Sequence, residues 1–231
     1  MSRPTLLLVH GWGLGPGIWR PLLEQMDNPP HYCLDFGFFG QEKTAIPSDQ
    51  PLIAVGHSLG FLWLLQHLDN APWAEQVQGL VSINGFSRFA KADDFPHGVE
   101  QCLIRRMKNG LQRDPVKVLN SFRELGGGPA GDFISADAKK RMDTTALAYG
   151  LAWLLEWDGR PGLGQWNRPL MAIANQDDNI VTPTMTEASF SAPLAEQSRQ
   201  IEWLSGGGHM GLMMRYKSYA VLLEKFYKAF L

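Results

Sequence analysis

The segment Thr5-Leu-Leu-Leu-Val-His10 is an unbroken, β-favouring apolar run that stops at the glycine-rich Gly11-Trp12-Gly13. A strand buried on both faces of a parallel sheet reads this way. Five more runs of four or five residues follow, at 32–36, 52–56, 80–84, 170–174 and 201–204, several of them bounded by Gly, Pro, Asp or Asn. Between some of these the period becomes helical: Leu62, Leu65 and Leu68 recur three apart just after the turn at 56–60, and residues 216–231 form another amphipathic run. Alternating strand and helix predicts an α/β fold on a mostly parallel sheet of about six strands.

Residues 88–161 break the alternation, with helical patterns and no convincing strand. They are expected to form a helical lid inserted in a core made of residues 1–87 and 162–231. One lid helix is well punctuated. Asp114 can cap it, Pro115 takes its first position, Val118, Leu119, Phe122 and Leu125 form an apolar side, and Gly126-Gly-Gly-Pro129 ends it. Lys117 and Arg123 are expected on its other side. A second helix is expected from about Ser135 through Tyr149, with Lys139, Lys140 and Arg141 near its start, and residues 152–156 extending or following it.

With 231 residues, 45% hydrophobic and 19% charged, the chain has the makeup of a soluble globular protein, long enough to build a core without disulfides or metal. Its apolar runs fall far short of the roughly 18 residues a membrane span needs. No charged-then-apolar leader precedes them, so a cytosolic location is expected. Cys33 and Cys102 lack neighbours at zinc spacing and are expected to be reduced structural thiols. The formal charge of −2 argues against general nucleic-acid binding. It is unevenly spread, since residues 88–141 hold 11 Lys or Arg against 7 Asp or Glu. An acidic partner suits that segment, and so does a plain solvated helix face.

Gly56-His57-Ser58-Leu59-Gly60 lies between a predicted strand and a predicted helix. A serine on such a sharp turn is strained, and small residues two before and two after it let the turn close and raise the hydroxyl above the sheet edge. Serine is a weak nucleophile at neutral pH, so a histidine base and an orienting acid should follow it in the chain. Asn175-Gln-Asp-Asp-Asn-Ile-Val181 and Ser205-Gly-Gly-Gly-His-Met210 each follow a predicted strand, where an open α/β sheet places its sites. His209 is the candidate base. Asp177 and Asp178 are adjacent candidates for the acid; spacing to Ile180-Val181 favours Asp178, leaving Asp177 as a turn residue. The backbone amides of Leu59 and Trp12 are the candidate oxyanion donors, with the Trp12 side chain also readable as a hydrophobic plug.

These motifs resemble the α/β-hydrolase superfamily over essentially the whole chain, with the insertion where that superfamily places its lid. His10-Gly-Trp-Gly with Trp19, Phe86-Ser-Arg-Phe-Ala90 and the helix after Asp114 are similar to the pimeloyl-[acyl-carrier protein] methyl ester esterases of biotin synthesis. The resemblance implies a serine carboxylesterase without metal or organic cofactor. It implies Ser58, Asp178 and His209 as the triad, and Trp12, Leu59 and Phe122 around the acyl group, with Met210 or Met213 nearby. It also implies a basic lid, including Lys117 and Arg123, that receives an acidic acyl-carrier protein.

The chain is expected to depart from the family in lacking two strands ahead of the first. It also carries Asp35-Phe-Gly-Phe-Phe-Gly40 in place of a proline-glycine turn, Phe61 in place of a glycine and His57 in place of a tryptophan. Only about fifteen residues separate the second and third predicted strands, barely room for a crossover helix, so that edge is expected to be irregular. The same triad would serve a general short-acyl esterase or a carbon–carbon bond hydrolase. A non-catalytic ligand receptor would keep the pocket without needing the triad.

Overall fold

The structure, a computed structural model, describes residues 3–131, 134–197 and 200–231. Its strands are β1 (Thr5–Val9), β2 (His31–Leu34), β3 (Leu52–His57), β4 (Val77–Ile83), β5 (Leu170–Asn175) and β6 (Glu202–Leu204). All five pairings are parallel, in the order β2-β1-β3-β4-β5-β6. The predicted sheet is therefore present, with its first described strand inside it and the second at the edge.

The unbroken apolar runs follow from burial on both faces. In β1, Leu7 and Val9 belong to one core cluster while Leu6 and Leu8 belong to the other. β3 divides likewise, Leu52 and Ala54 against Ile53 and Val55. One layer is closed by α1 (Arg20–Gln25) and the last helix, α10 (Tyr216–Lys228), whose Tyr219, Leu223 and Tyr227 are buried. On the other face lie α2 (Leu59–His67), α7 (Arg160–Gln165) and α8 (Pro183–Glu196). The short α9 (Gly211–Met214) precedes α10. As expected, no helix spans 35–51; an isolated antiparallel bridge joins Asp35 to Lys43 there.

Between β4 and α7 the chain forms α3 (Gln101–Leu111), α4 (Pro115–Leu125), α5 (Ala136–Arg141) and α6 (Thr144–Glu156). Helix α4 starts as its punctuation dictates, with the Asp114 carboxylate accepting from the Lys117 amide at 2.9 Å. Four details differ from expectation. The helix expected at 135–149 is two helices, because Asp143 accepts from the amides of Thr145 and Ala146 and starts α6 afresh. Leu125 is exposed at the end of α4, past the stretch held by buried Leu119 and Phe122. Cys102 is exposed on the outer side of α3, whose buried residues are Ile104 and Leu111, so it is no structural thiol. Arg123 does not share the outer face of Lys117. Six residues turn a helix by about 600°, leaving the two about 120° apart, and Arg123 follows buried Leu119 by one turn.

The turn between β3 and α2 tests this packing. A Cβ at Gly60 would run into the Val9 carbonyl oxygen, whereas one at Gly164 in α7 meets nothing within 4 Å. Gly60→Ala should cost about 3 kcal/mol, lowering the melting temperature by roughly 6–12 °C. Gly164→Ala should leave it unchanged or slightly higher in the same thermal melt.

Candidate active site

Ser58 joins β3 to α2 at φ 53° and ψ −123°, in the left-handed range that a non-glycine residue enters only under constraint. Gly56 and Gly60 permit the turn, since a Cβ at Gly56 would strike the backbone of Phe61. Ser58 Oγ lies 2.8 Å from His209 Nε2, and His209 Nδ1 lies 2.7 Å from Asp178 Oδ2. A carboxylate only accepts, so Nδ1–H donates to Asp178 and leaves Nε2 free to accept the serine proton. All three residues are buried. The other oxygen of Asp178 accepts from the amides of Ile180 and Val181, each at 2.8 Å, which fixes the carboxylate's plane.

The choice between the adjacent aspartates is decided by these contacts. Asp177 points the other way and accepts from the amides of Gly206 at 3.0 Å and Gly208 at 3.1 Å. It braces the loop that carries His209, whose Gly206, Gly207 and Gly208 all have positive φ. Across the site, Gly11 passes so close to Ser58 that a Cβ there would lie 3.1 Å from Ser58 Cβ. Trp12 follows, buried, its indole donating to the Leu147 carbonyl at 2.8 Å. The Phe122 ring packs edge-on against Trp12 at 5.0 Å and against His209 at 6.1 Å. Leu59 opens α2 and is buried. The sequence-predicted Ser58, Asp178, His209, Trp12, Leu59 and Phe122 thus converge.

Beside this cluster runs a groove of about 480 Å³ with Leu14, Ile18, Ile134, Met210 and Met213 in its walls. Arg123 lines it too, half-buried and donating to the Gly13 carbonyl at 3.2 Å. Burial draws its guanidinium below the usual arginine range. Lys117 stands apart from all of this, exposed on α4.

Comparison with known proteins agrees with this geometry. No protein-family model matches the chain. It is 30% identical to the pimeloyl-[acyl-carrier protein] methyl ester esterase of Xanthomonas oryzae, over 96% of this chain and 94% of that one. To the Xanthomonas campestris enzyme of the same name it is 31% identical, over 98% and 96%. The chain belongs to the pimeloyl-[acyl-carrier protein] methyl ester esterase family. Its fold is that of the α/β-hydrolases: an Exiguobacterium antarcticum esterase superposes with TM-score 0.82 at 13% identity, covering 98% of this chain and 92% of that one. MenH from S. aureus superposes with TM-score 0.75 at 11% identity, covering 99% and 95%. The protein is accordingly a carboxylic ester hydrolase.

Three residues of this esterase's site carry more than sequence reasoning assigned them. His57 is buried and its Nε2–H donates to the His209 carbonyl at 3.2 Å. Asn84, at φ 46°, donates to that carbonyl at 3.1 Å and to Gly208's at 3.3 Å. Asn175 also donates to the Gly208 carbonyl and contacts the Tyr219 hydroxyl at 2.6 Å. A polar residue closing an apolar strand run was the available signal, at Asn84 and Asn175 alike. Among the described residues no group of three or more His, Cys, Asp or Glu side chains is placed to hold a metal ion.

Burial, with His209 nearby, depresses His57 from 6.5 to about 3. Between those values the unfolded chain takes up a proton that the folded chain refuses, so stability falls as pH drops from about 6.5 toward about 3. Replacing His57 by Gln should flatten part of that decline in acid-unfolding curves. Among the acids, Asp178→Asn should lower kcat by about 10⁴ in an ester-hydrolysis assay, as loss of the orienting carboxylate does. Asp177→Asn should act far more weakly, since it touches only the loop.

Proposed function

We propose that this protein hydrolyses the methyl ester of a pimeloyl chain carried on acyl-carrier protein, through a serine acyl-enzyme, as its relatives' name describes. The observation that carries the reading is the continuous Ser58–His209–Asp178 hydrogen-bond relay in a chain so related. Ser58 Oγ attacks the ester carbonyl while His209 Nε2 takes its proton, and Asp178 stabilises the imidazolium formed. The tetrahedral oxyanion is received by the amides of Leu59 and Trp12, each such donor contributing roughly 10²–10³ in rate. His209 returns the proton to the departing methanol oxygen. Water, deprotonated by the same nitrogen, then attacks the acyl-enzyme carbonyl, and as the bond to Ser58 Oγ breaks His209 returns that proton to the serine oxygen, releasing the acid and restoring the relay.

The helices between β4 and α7 act as a lid, with the acyl chain held between Trp12, Phe122 and the methionines beside His209. The carrier protein docks on the lid's exposed basic residues. Arg105, Arg106, Lys108, Arg113 and Lys117 are all exposed on α3, α4 and the link between them, and such a field attracts an acidic partner chiefly by steering. Lys117 fits this role; Arg123 faces inward. The Cellvibrio japonicus bifunctional protein BioHC, 28% identical over 90% of this chain and 44% of that one, is named for biotin biosynthesis; that biosynthesis, carried out in the cytosol, is the setting proposed here. No described helix is long and apolar enough to cross a membrane.

Hydrolysis of the carrier-linked methyl ester, beside a free short-chain aryl ester, tests the reading. Wild type should prefer the carrier-linked ester, and Ser58→Ala should abolish turnover of both. Charge reversal at Arg113 and Lys117 should raise KM for the carrier-linked ester roughly fivefold at low salt, an effect that shrinks as salt is added. Equal turnover of both esters, indifferent to that reversal, would mark a general short-acyl esterase instead.

A further inference from the structure

The triad and the oxyanion amides leave Arg123 unused. It lies on the inner face of α4, one turn after buried Leu119, and is the one charged side chain among the described residues lining the groove. One of its Nη groups donates to the Gly13 carbonyl, but its Nε is buried with no hydrogen-bond partner. Burial is the influence that shifts it, with no carboxylate offsetting the charge among the described residues. A desolvated donor left unpaired is costly and calls for an explanation, and a ligand in the groove meets this same guanidinium.

Its position along the site gives that ligand a direction. Trp12 and Phe122 pack on each other beside His209, and the next residue along each segment forms the next pair, Gly13 with Arg123. Met210 follows His209 and lines the groove. Arg123 and Met210, the chain neighbours of Phe122 and His209, thus both line the groove that runs beside the reacting cluster.

Building on the methyl ester esterase reading above, we propose that this groove is an acyl-chain subsite. In it Arg123 donates to the second carbonyl of a dicarboxylic half-ester, so the enzyme selects methyl esters whose far end carries an oxygen acceptor. A monocarboxylic ester of equal length satisfies the apolar walls but covers the guanidinium without pairing it, and is rejected for that reason. A free carboxylate and a thioester carbonyl share the acceptor chemistry.

The experiment compares kcat/KM for three methyl esters of matched chain length: a monocarboxylic ester, the half-ester with a free carboxylate, and that half-ester as a pantetheine thioester. Wild type should favour one or both of the last two over the first by about tenfold or more. Arg123→Leu should cut that ratio by about ten- to a hundredfold, mainly through KM, as loss of a hydrogen bond to a charged group does. Arg123→Lys, which keeps one donor and the charge, should restore part of the ratio for the carboxylate, and it answers the question if the Leu variant folds poorly. Whichever of the two acceptors is favoured identifies the source, and either supports the subsite. A ratio unchanged in the Leu and Lys variants, with all three esters slowed equally, shows that Arg123 merely ties α4 to Gly13 and overturns the inference alone. Failure of wild type to cleave any of the three overturns the methyl ester reading beneath it.

Discussion

The backbone turn at Ser58 is the constraint on which the rest of the structure depends. A serine at φ 53° is stable only if its surroundings leave the chain no relaxed alternative. Here β3 is locked between β1 and β4, with Val9 paired to Gly56 in the parallel register, and α2 lies hard against the end of β1. Gly60 is the point of contact, its Cα against the backbone of Val9 and His10. The same register that buries two faces of apolar side chains therefore also aims one hydroxyl. Packing and catalysis are not separable at this turn, because a shift of β1 along β3 would remove the wall that keeps Ser58 strained.

His209 is held by the complementary device. Its loop bends through three glycines with positive φ, so the backbone itself supplies little stiffness, and polar contacts supply it instead. Asp177 grips two amides of the loop, while His57, Asn84 and Asn175 grip the carbonyls of Gly208 and His209. The cost is visible beside them. His57 Nδ1, Asn84 Oδ1 and Asn175 Oδ1 are all buried without a partner, and each such acceptor costs about 1–3 kcal/mol relative to solvent. A fold selected for stability alone would place apolar side chains there; these acceptors are the other ends of groups whose donors hold the base.

Much of this was legible in the sequence. Six apolar runs became six strands; the four inner ones are buried almost throughout, which leaves no room for alternation, while the edge strands β2 and β6 are only partly buried, and Ser58, His209 and their loops followed from strand-to-loop placement. The misses have separate physical causes. Asp143 reads as one more polar residue until its carboxylate is seen capping α6. Charge alone puts Arg123 on an outer face, although its one-turn spacing from Leu119 puts it inside. His57 and Asn84 act through a carbonyl far away in sequence, a contact no local pattern contains.

The helices between β4 and α7 are joined to the sheet in two unlike ways, and the difference bears on how substrate binding reaches the reacting atoms. At their ends, Arg88 pairs with Asp158 at 2.8 Å and Arg160 with Asp94 at 2.7 Å, and the Gly159 amide donates to Ser87. Part of this clasp is solvent-exposed, and such pairs contribute little and weaken with salt. Over the site the contacts are of another kind: the Trp12 indole on Leu147, Arg123 on Gly13, and the Asp143 amide on Phe38. Two of these three fall on the loop whose Trp12 amide faces the developing oxyanion in the proposed mechanism. In the proposed mechanism, an acyl chain between Phe122 and the methionines would therefore press on the contacts that fix that loop. Binding energy gained far from the ester can in this way be spent on aligning the donors that the transition state uses, which raises kcat rather than merely lowering KM.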